Sequence, residues 1–323
     1  MDHFSFVDKP APHMLRAFGC IMGQLCGDAL GSLVEFLDPM QIAARYPDGV
    51  RKLHNGGTWD TIAGQPTDDS EMALLLARML IEEGVYDPEL ALATYRYWLD
   101  SEPFDCGSTI VKGLRGSPDA SSQANGALMR IAPLAIFGHH ASRENLIKWA
   151  VQDASLTHPN ALCTAINAVY VVAIAHAIHE DTTPEKMFAV MIDVAREIDA
   201  PKALMDTLLA AEKYPPEDYV AHQGWVLVSF QNAVWQMLHA NSVEKAIVDT
   251  VARGGDTDTN AAICGALMGA VNGIDDFPAQ WIEAVLNCRP KAGYPGVKRP
   301  RPECFWPVDA LDISQALLTA RIY

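Results

Sequence analysis

The chain has 323 residues, half of them apolar, which suffices for a sizeable core in one large domain or two smaller ones. Its 40 acidic and 24 basic residues leave a net charge of −16, which argues against general nucleic-acid binding. Seven cysteines without a CxxC pair read as the reduced thiols of a cytoplasmic protein.

Residues 1–14 hold no apolar run after a basic start, so no secretory signal is expected. They carry Phe4, Phe6 and Val7 without helical spacing and read as an arm, either a frayed terminus or a peptide that engages a partner. The stretch 15–37 is apolar and long enough to invite a membrane reading. Arg16, Asp28, Glu35 and several glycines speak against a span, and no membrane contact is expected. Gly23, Gly27 and Gly31 recur every fourth residue and give one smooth helix face for close packing. No strand precedes them, so they form no nucleotide fingerprint. Glu35 lies among Leu33, Val34, Phe36 and Leu37. A carboxylate held in such a pocket rises in pKa, which suits a general acid or base.

A glycine-rich loop over 48–66 leads into Thr67-Asp68-Asp69. Helical spacing follows over 69–83, with Gly84 as a stop, and recurs at 88–99, 143–154, 160–179, 184–198, 225–238, 243–251, 261–271 and 310–322. Strict alternation of β-branched residues is absent. The expected class is therefore all-α, in a single domain over 15–323. The segment 287–307, rich in Pro and Arg, should be irregular.

Thr67-Asp68-Asp69 alone reads as a helix N-terminus, where acids are stabilised by the dipole. The later run Gly254-Gly255-Asp256-Thr257-Asp258-Thr259 changes the balance, because it offers a second dense set of carboxylates and hydroxyls beside glycines. Hard oxygen donors at this density suit Mg²⁺, Mn²⁺ or Ca²⁺ rather than zinc. Two such groups, if brought together, hold a binuclear centre that orients substrate and activates water. Asn125-Gly126-Ala127-Leu128-Met129-Arg130 is expected to begin a helix, and its free N-terminus offers a seat for an anion. His158, in the loop Thr157-His158-Pro159, is placed to meet a ligand. His176 and His179 lie one helical turn apart with no third ligand nearby and are taken as structural.

In their order, GDALG with Glu35, TDDS, Asp105-Cys106-Gly107-Ser108-Thr109, NGALMR, THP and GGDTDTNAA resemble the ADP-ribosylglycohydrolase family over about residues 15–273. The resemblance implies an all-α fold with a binuclear Mg²⁺ or Mn²⁺ centre that cleaves ADP-ribose from modified side chains or small molecules. Thr67, Asp68, Asp69, Asp256, Asp258 and Thr259 match its metal ligands. Glu35 and Asp105 match the acids that handle the attacking water or orient the ribose, and Asp69 is a second candidate base. Asn125, Gly126, Met129 and His158 match the ADP-ribose pocket. Ser122-Gln123-Ala124 and Cys106 depart from the usual pattern. The expected substrate is a protein ADP-ribosylated on arginine. Two alternatives stand beside it: immunity against an ADP-ribosyltransferase toxin, with the arm as a binding element, and a non-catalytic ADP-ribose-binding module.

Overall fold

The computed structural model describes residues 10–180 and 182–320. In chain order its helices are α1 (Pro12–Gly31), α2 (Pro39–Arg45), α3 (Asp68–Glu83), α4 (Pro88–Asp100), α5 (Ser108–Leu114), α6 (Ala132–Phe137), α7 (Arg143–Ser155) and α8 (Ala161–His179). The second half adds α9 (Pro184–Glu197), α10 (Lys202–Ala211), α11 (Val226–His239), α12 (Val243–Ala252), α13 (Thr257–Asn272), α14 (Ala279–Leu286) and α15 (Ala310–Thr319). Strands are absent among the described residues. Two isolated bridges, Gly56 to Thr61 and Ala124 to Trp225, are the extended pairings. The fold is all-α, as its periodicity predicts.

The local signals explain most of the boundaries. Ser142, Thr183 and Ser242 cap α7, α9 and α12 by accepting from the backbone three residues on, and Gly84 ends α3 in the left-handed conformation. Three expectations need correction. Helix α1 begins at Pro12, so residues 12–14 belong to a helix and not to an arm; proline fits the first turn, where its missing N–H is not needed. Residues 125–130 form consecutive turns rather than a helix, and α6 starts only at Ala132. Pro133 has no N–H to donate and its ring clashes with the preceding turn, so a helix can start there but not run through. The segment 287–307 is largely irregular but includes a short 3₁₀ turn at Glu303–Phe305.

The centre of the molecule is a contact between α1 and α13, which run antiparallel. Gly19 faces Gly269, Gly23 faces Gly265, and Gly27 faces Ala261. A Cβ added at any of these glycines would overlap the backbone of the opposing helix. Gly31 then meets the backbone of Thr257 and Asp258, and Thr257 Oγ1 donates to the Gly31 carbonyl at 2.7 Å. This seam sets the end of α1 against the start of α13. Helix α8 is apolar on every side. It is long and apolar enough to cross a membrane, yet 83% of its apolar window is buried within the protein, as in a core helix. Its Tyr170 hydroxyl donates to the Ile263 carbonyl at 2.8 Å and ties α8 to α13.

Gly23→Ala should therefore lower stability by about 3 kcal/mol or more, since neither backbone can yield to the added methyl. Gly107→Ala, whose Cβ would meet only Ile110 at ordinary distance, should stay within about 0.5 kcal/mol. Denaturant unfolding of the two variants beside the parent checks both values.

Candidate metal centre and substrate cleft

Three segments converge where α1 ends. Helix α3 starts with Thr67, Asp68 and Asp69, but the side chain of Thr67 does not cap it. Asp28 of α1 does so from outside. It accepts from the Thr67 N–H at 3.1 Å, the Thr67 hydroxyl at 2.9 Å and the Ser70 N–H at 3.1 Å. The Thr67 hydroxyl also lies 3.1 Å from Asp69 Oδ2. The chain after α1 is latched to the loop before α13: the Phe36 N–H donates to the Gly255 carbonyl at 2.8 Å, and the Gly255 N–H to the Leu37 carbonyl at 3.0 Å. Glu35 is thereby set over Asp256 and Asp258. Carboxylate oxygens of Glu35, Asp105 and Asp258 lie within 4.8 Å of one another.

The resulting cleft has a volume of about 300 Å³. Of the residues singled out from the sequence, Glu35, Asp68, Asp105, Asn125, Gly126, Met129, His158, Asp256 and Thr259 line it. Thr67, Asp69 and Asp258 are buried beneath that lining. So the fold brings both acidic runs, some 190 residues apart in sequence, to one place.

The electrostatics are one-sided. No Lys or Arg is among the described residues lining the cleft. Burial, with Asp105 and Asp256 nearby, pushes the Glu35 carboxyl up to about 8. Burial and Asp256 push Asp105 up to about 6. Asp68, Asp69 and Asp258 are driven well above the carboxylate range, first by burial and then by a neighbouring acid: Asp105 for Asp68, Asp28 for Asp69 and Glu35 for Asp258. Burial also lifts Asp28 to about 7, against the hydrogen bonds from Thr67 and Ser70. Asp69 Oδ1 and Asp258 Oδ2 are buried without a hydrogen-bond partner. Buried carboxylates in this state need protons or a cation. Orphaned oxygens in an all-oxygen donor set fit a hard divalent ion.

On the opposite wall, Arg130 is fully buried and holds two motifs together. Its guanidinium donates to Asp153 at 3.1 Å, to the Gly126 carbonyl at 3.2 Å and to the Thr157 hydroxyl at 2.9 Å, and it lies over the Tyr95 ring. Because Thr157 Oγ1 accepts from Arg130, its own proton can go to His158 Nδ1, 2.7 Å away. Burial and Arg130 lower the His158 pKa to about 3, so the ring is neutral and its proton sits on Nε2. That Nε2 is buried without a partner, in a residue that lines the cleft. Asn125 donates its side-chain amide to Asp256 at 2.7 Å and to Ser229 at 3.0 Å, and its backbone N–H goes to the Gly224 carbonyl at 3.0 Å. The Asn125 N–H is thus not free for an anion, contrary to the expectation of an open helix end.

Sequence reasoning missed two residues. Asp28 was legible as an acid inside an apolar helix, within a motif read only for its glycines. Trp59, in the loop before Thr67, donates its indole N–H to Glu35 Oε2 at 2.6 Å, and no local pattern marks it. Of the departures noted in the sequence, Gln123 is tied into the fold by accepting from the Trp225 indole at 2.9 Å, and Cys106 lines the cleft. Phe4, Phe6 and Val7 of the expected arm lie outside the described residues.

Known proteins resemble this chain over most of its length. The sequence profile of ADP-ribosylglycohydrolases matches residues 10–299. The chain belongs to the ADP-ribosylglycohydrolase family. It is 30% identical to the ADP-ribosyl-[dinitrogen reductase] glycohydrolase of Rhodospirillum rubrum over 83% of this chain and 89% of that one. It is 29% identical to the ADP-ribosylarginine hydrolase Tri1 of Pseudomonas putida (strain GB-1), covering 85% of this chain and 76% of the relative. A solved ADP-ribosylglycohydrolase-related protein complex shares the fold, with a TM-score of 0.78, 24% identity and coverage of 96% of this chain and 99% of the other. The protein is accordingly a hydrolase that removes ADP-ribose from modified substrates, in a metal-dependent family.

The raised carboxyls of this ADP-ribosylglycohydrolase give a pH prediction. A carboxyl whose pKa rises on folding stabilises the fold below its unfolded value and stops doing so as pH climbs through the folded value. For Glu35 that window runs from about 4.5 to about 8. The melting temperature in EDTA should fall across this range. Added Mg²⁺ should restore it, with a gain that grows toward the alkaline end. Coincident melting profiles with and without Mg²⁺ would show that the carboxylates take no ion.

Proposed function

We propose that the protein hydrolyses the N-glycosidic bond between ADP-ribose and an arginine side chain of a modified protein, using two Mg²⁺ or Mn²⁺ ions. The observation that carries the arginine linkage is the mouth of the cleft. Phe36, Trp59 and Phe104 form an aromatic rim beside Glu35, with ring centres 6.4 Å and 5.9 Å from Trp59. Aromatic faces next to a carboxylate attract a guanidinium by charge and by stacking. The rim already takes one from the chain itself: Arg299 lies 6.0 Å over Phe104 and donates to the Trp59 carbonyl at 3.0 Å.

In this reading Thr67, Asp68, Asp69, Asp256, Asp258 and Thr259 hold the ions. When bound, the ions supply Lewis acidity toward a water and the ribose hydroxyls. Glu35 or Asp69 takes a proton from the attacking water as an oxocarbenium-like transition state forms at the anomeric carbon; the C–N bond breaks, and the departing guanidine keeps the bonding pair and takes up that proton. Trp59 occupies Glu35 Oε2 and so orients its other oxygen. Asp105 keeps the ribose in register. Asn125 fixes Asp256. The Nε2–H of His158 is the free donor facing the ADP-ribose, and Gly126 and Met129 give its wall. A cytoplasmic setting belongs to the same proposal and accords with seven unpaired cysteines.

The test is release of free ADP-ribose from an arginine-ADP-ribosylated protein with Mg²⁺, with EDTA, and with Asp256→Ala. Release should depend on the metal and fall at least about a hundredfold in the variant. Phe36→Ala should reduce kcat/KM for the arginine-linked substrate about 2- to 30-fold, the worth of a cation–π contact, and leave a serine-linked substrate unaffected. Turnover of the serine-linked substrate alone would overturn the arginine linkage. Binding of ADP-ribose with no turnover of either substrate would make the protein a binding module.

A further inference from the structure

A second cluster of metal-binding side chains lies at the far end of α8. The cleft residue His158 precedes the start of this helix, and His179 ends it, 19 helical residues or about 28 Å along the axis. There the fold sets His139 and His140, in the turn after α6, against His179. Ring centres are 3.8 Å apart for His139 and His140, 4.9 Å for His140 and His179, and 6.3 Å for His139 and His179. His13, in the first turn of α1, is close enough for its charge to act on His139 and His140. Glu180 Oε1 stands 3.6 Å from His179 Nε2. The sequence offered His179 no third ligand; the tertiary fold supplies the neighbours.

The cluster is prepared chemically. A carbonyl can only accept, so the 2.8 Å contact between His139 Nδ1 and the Ile136 carbonyl places the proton on Nδ1. The lone pair of His139 is then on Nε2, with the ring orientation fixed by a backbone partner, as in many metal-binding histidines. Burial lowers the His139 pKa to about 4, with His140, His179 and His13 adding to the shift. Three imidazoles on one tetrahedral ion, with bonds of about 2.0–2.1 Å, place their ring centres about 5 Å apart. The observed separations lie on both sides of that value. The ring nitrogens do not yet converge; among the described residues the set that does is Glu35, Asp105 and Asp258. His140 and His179 are exposed, however, so their side chains have room to change rotamer toward an ion.

We propose that His139, His140 and His179 form a second metal site for a borderline transition ion such as Zn²⁺, Ni²⁺ or Cu²⁺, with Glu180 nearest to the fourth position. Imidazole donors select such ions, whereas the oxygen-rich cleft selects Mg²⁺ or Mn²⁺. An ion here staples the end of α6 to the end of α8, beside the first turn of α1.

Zn²⁺ is titrated calorimetrically into full-length protein saturated with Mg²⁺, in the parent, in Asp256→Ala and in the double variant His140→Asn/His179→Asn. Co²⁺ absorption reports the geometry. The parent and Asp256→Ala should each take up one Zn²⁺ and give the visible bands of a tetrahedral Co²⁺ site. The double variant should bind at least about tenfold more weakly and lose those bands. Its metal-free melting curve and its Mg²⁺-dependent release of ADP-ribose should match those of the parent. Failure of the Mg²⁺-saturated parent to take up Zn²⁺, uptake unchanged in the double variant, or uptake lost in Asp256→Ala would each overturn the second site.

Discussion

Everything in the cleft depends on the near contact of two backbones. Each glycine inside α1 and α13 weakens its helix by about 1 kcal/mol relative to alanine, so Gly19, Gly23, Gly27, Gly265 and Gly269 together are a substantial local handicap. An ordinary apolar interface would not require it. The compensation is proximity: with no side chain between the helices, Gly31 reaches the backbone of Asp258, and the chain leaving α1 can latch to Gly255. Thicker residues along this seam would separate Glu35 and Asp28 from the second acidic run. The carboxylates would then be ordinary caps on separate helices.

Proximity has an electrostatic consequence. Asp28, Glu35, Asp68, Asp69, Asp105 and Asp258 all have pKa values raised by burial, and no Lys or Arg among the described residues of the cleft lining offsets them. Two buried charged pairs outside the cleft are bonded closely. Arg301 donates to both oxygens of Glu71 at 2.8 Å, and the Trp98 indole adds a third bond. Arg130 and Asp153 are likewise saturated. The contrast separates two uses of buried polar groups. The satisfied networks position neighbours, in Arg130's case Gly126 and His158. On the proposed reading, the unsatisfied acids store an affinity that a cation releases.

Much of this was readable before folding was considered. Helical periodicity and caps gave the class, because they are local. The two acidic runs stood out because dense carboxylates beside glycines have few structural uses. Their convergence followed from their shared donor chemistry and then from the resemblance, not from any local signal, since none reports a contact across some 190 residues. Asp28 was hidden by its own context: inside an apolar helix it read as an exception, whereas it serves as the cap of another helix. Residues 125–130 looked helical because Ala, Leu and Met are good helix formers, and the restriction imposed by Pro133 outweighed their propensity. The histidines at the end of α8 were seen as a pair because their neighbours come from a different turn.

Phe36 joins these threads. It is a bulky residue with φ of 66°, a conformation that such side chains rarely adopt and that stores about 1–3 kcal/mol. It is also 54% exposed, beside a core with ample apolar room. Neither feature stabilises the folded protein. Both follow from the latch: the hydrogen bonds of Phe36 and Leu37 to Gly255 hold the backbone in a turn that drops Glu35 toward the acids and swings the next side chain outward. One strained residue therefore sets the Glu35 carboxyl and the aromatic rim at once. Trp59 reinforces the coupling by bonding Glu35 through its nitrogen while packing its ring edge-on against Phe36. On the proposed reading, a guanidinium settling on the rim presses on the same two residues that aim Glu35. Recognition of the side chain and placement of the acid are then one mechanical event.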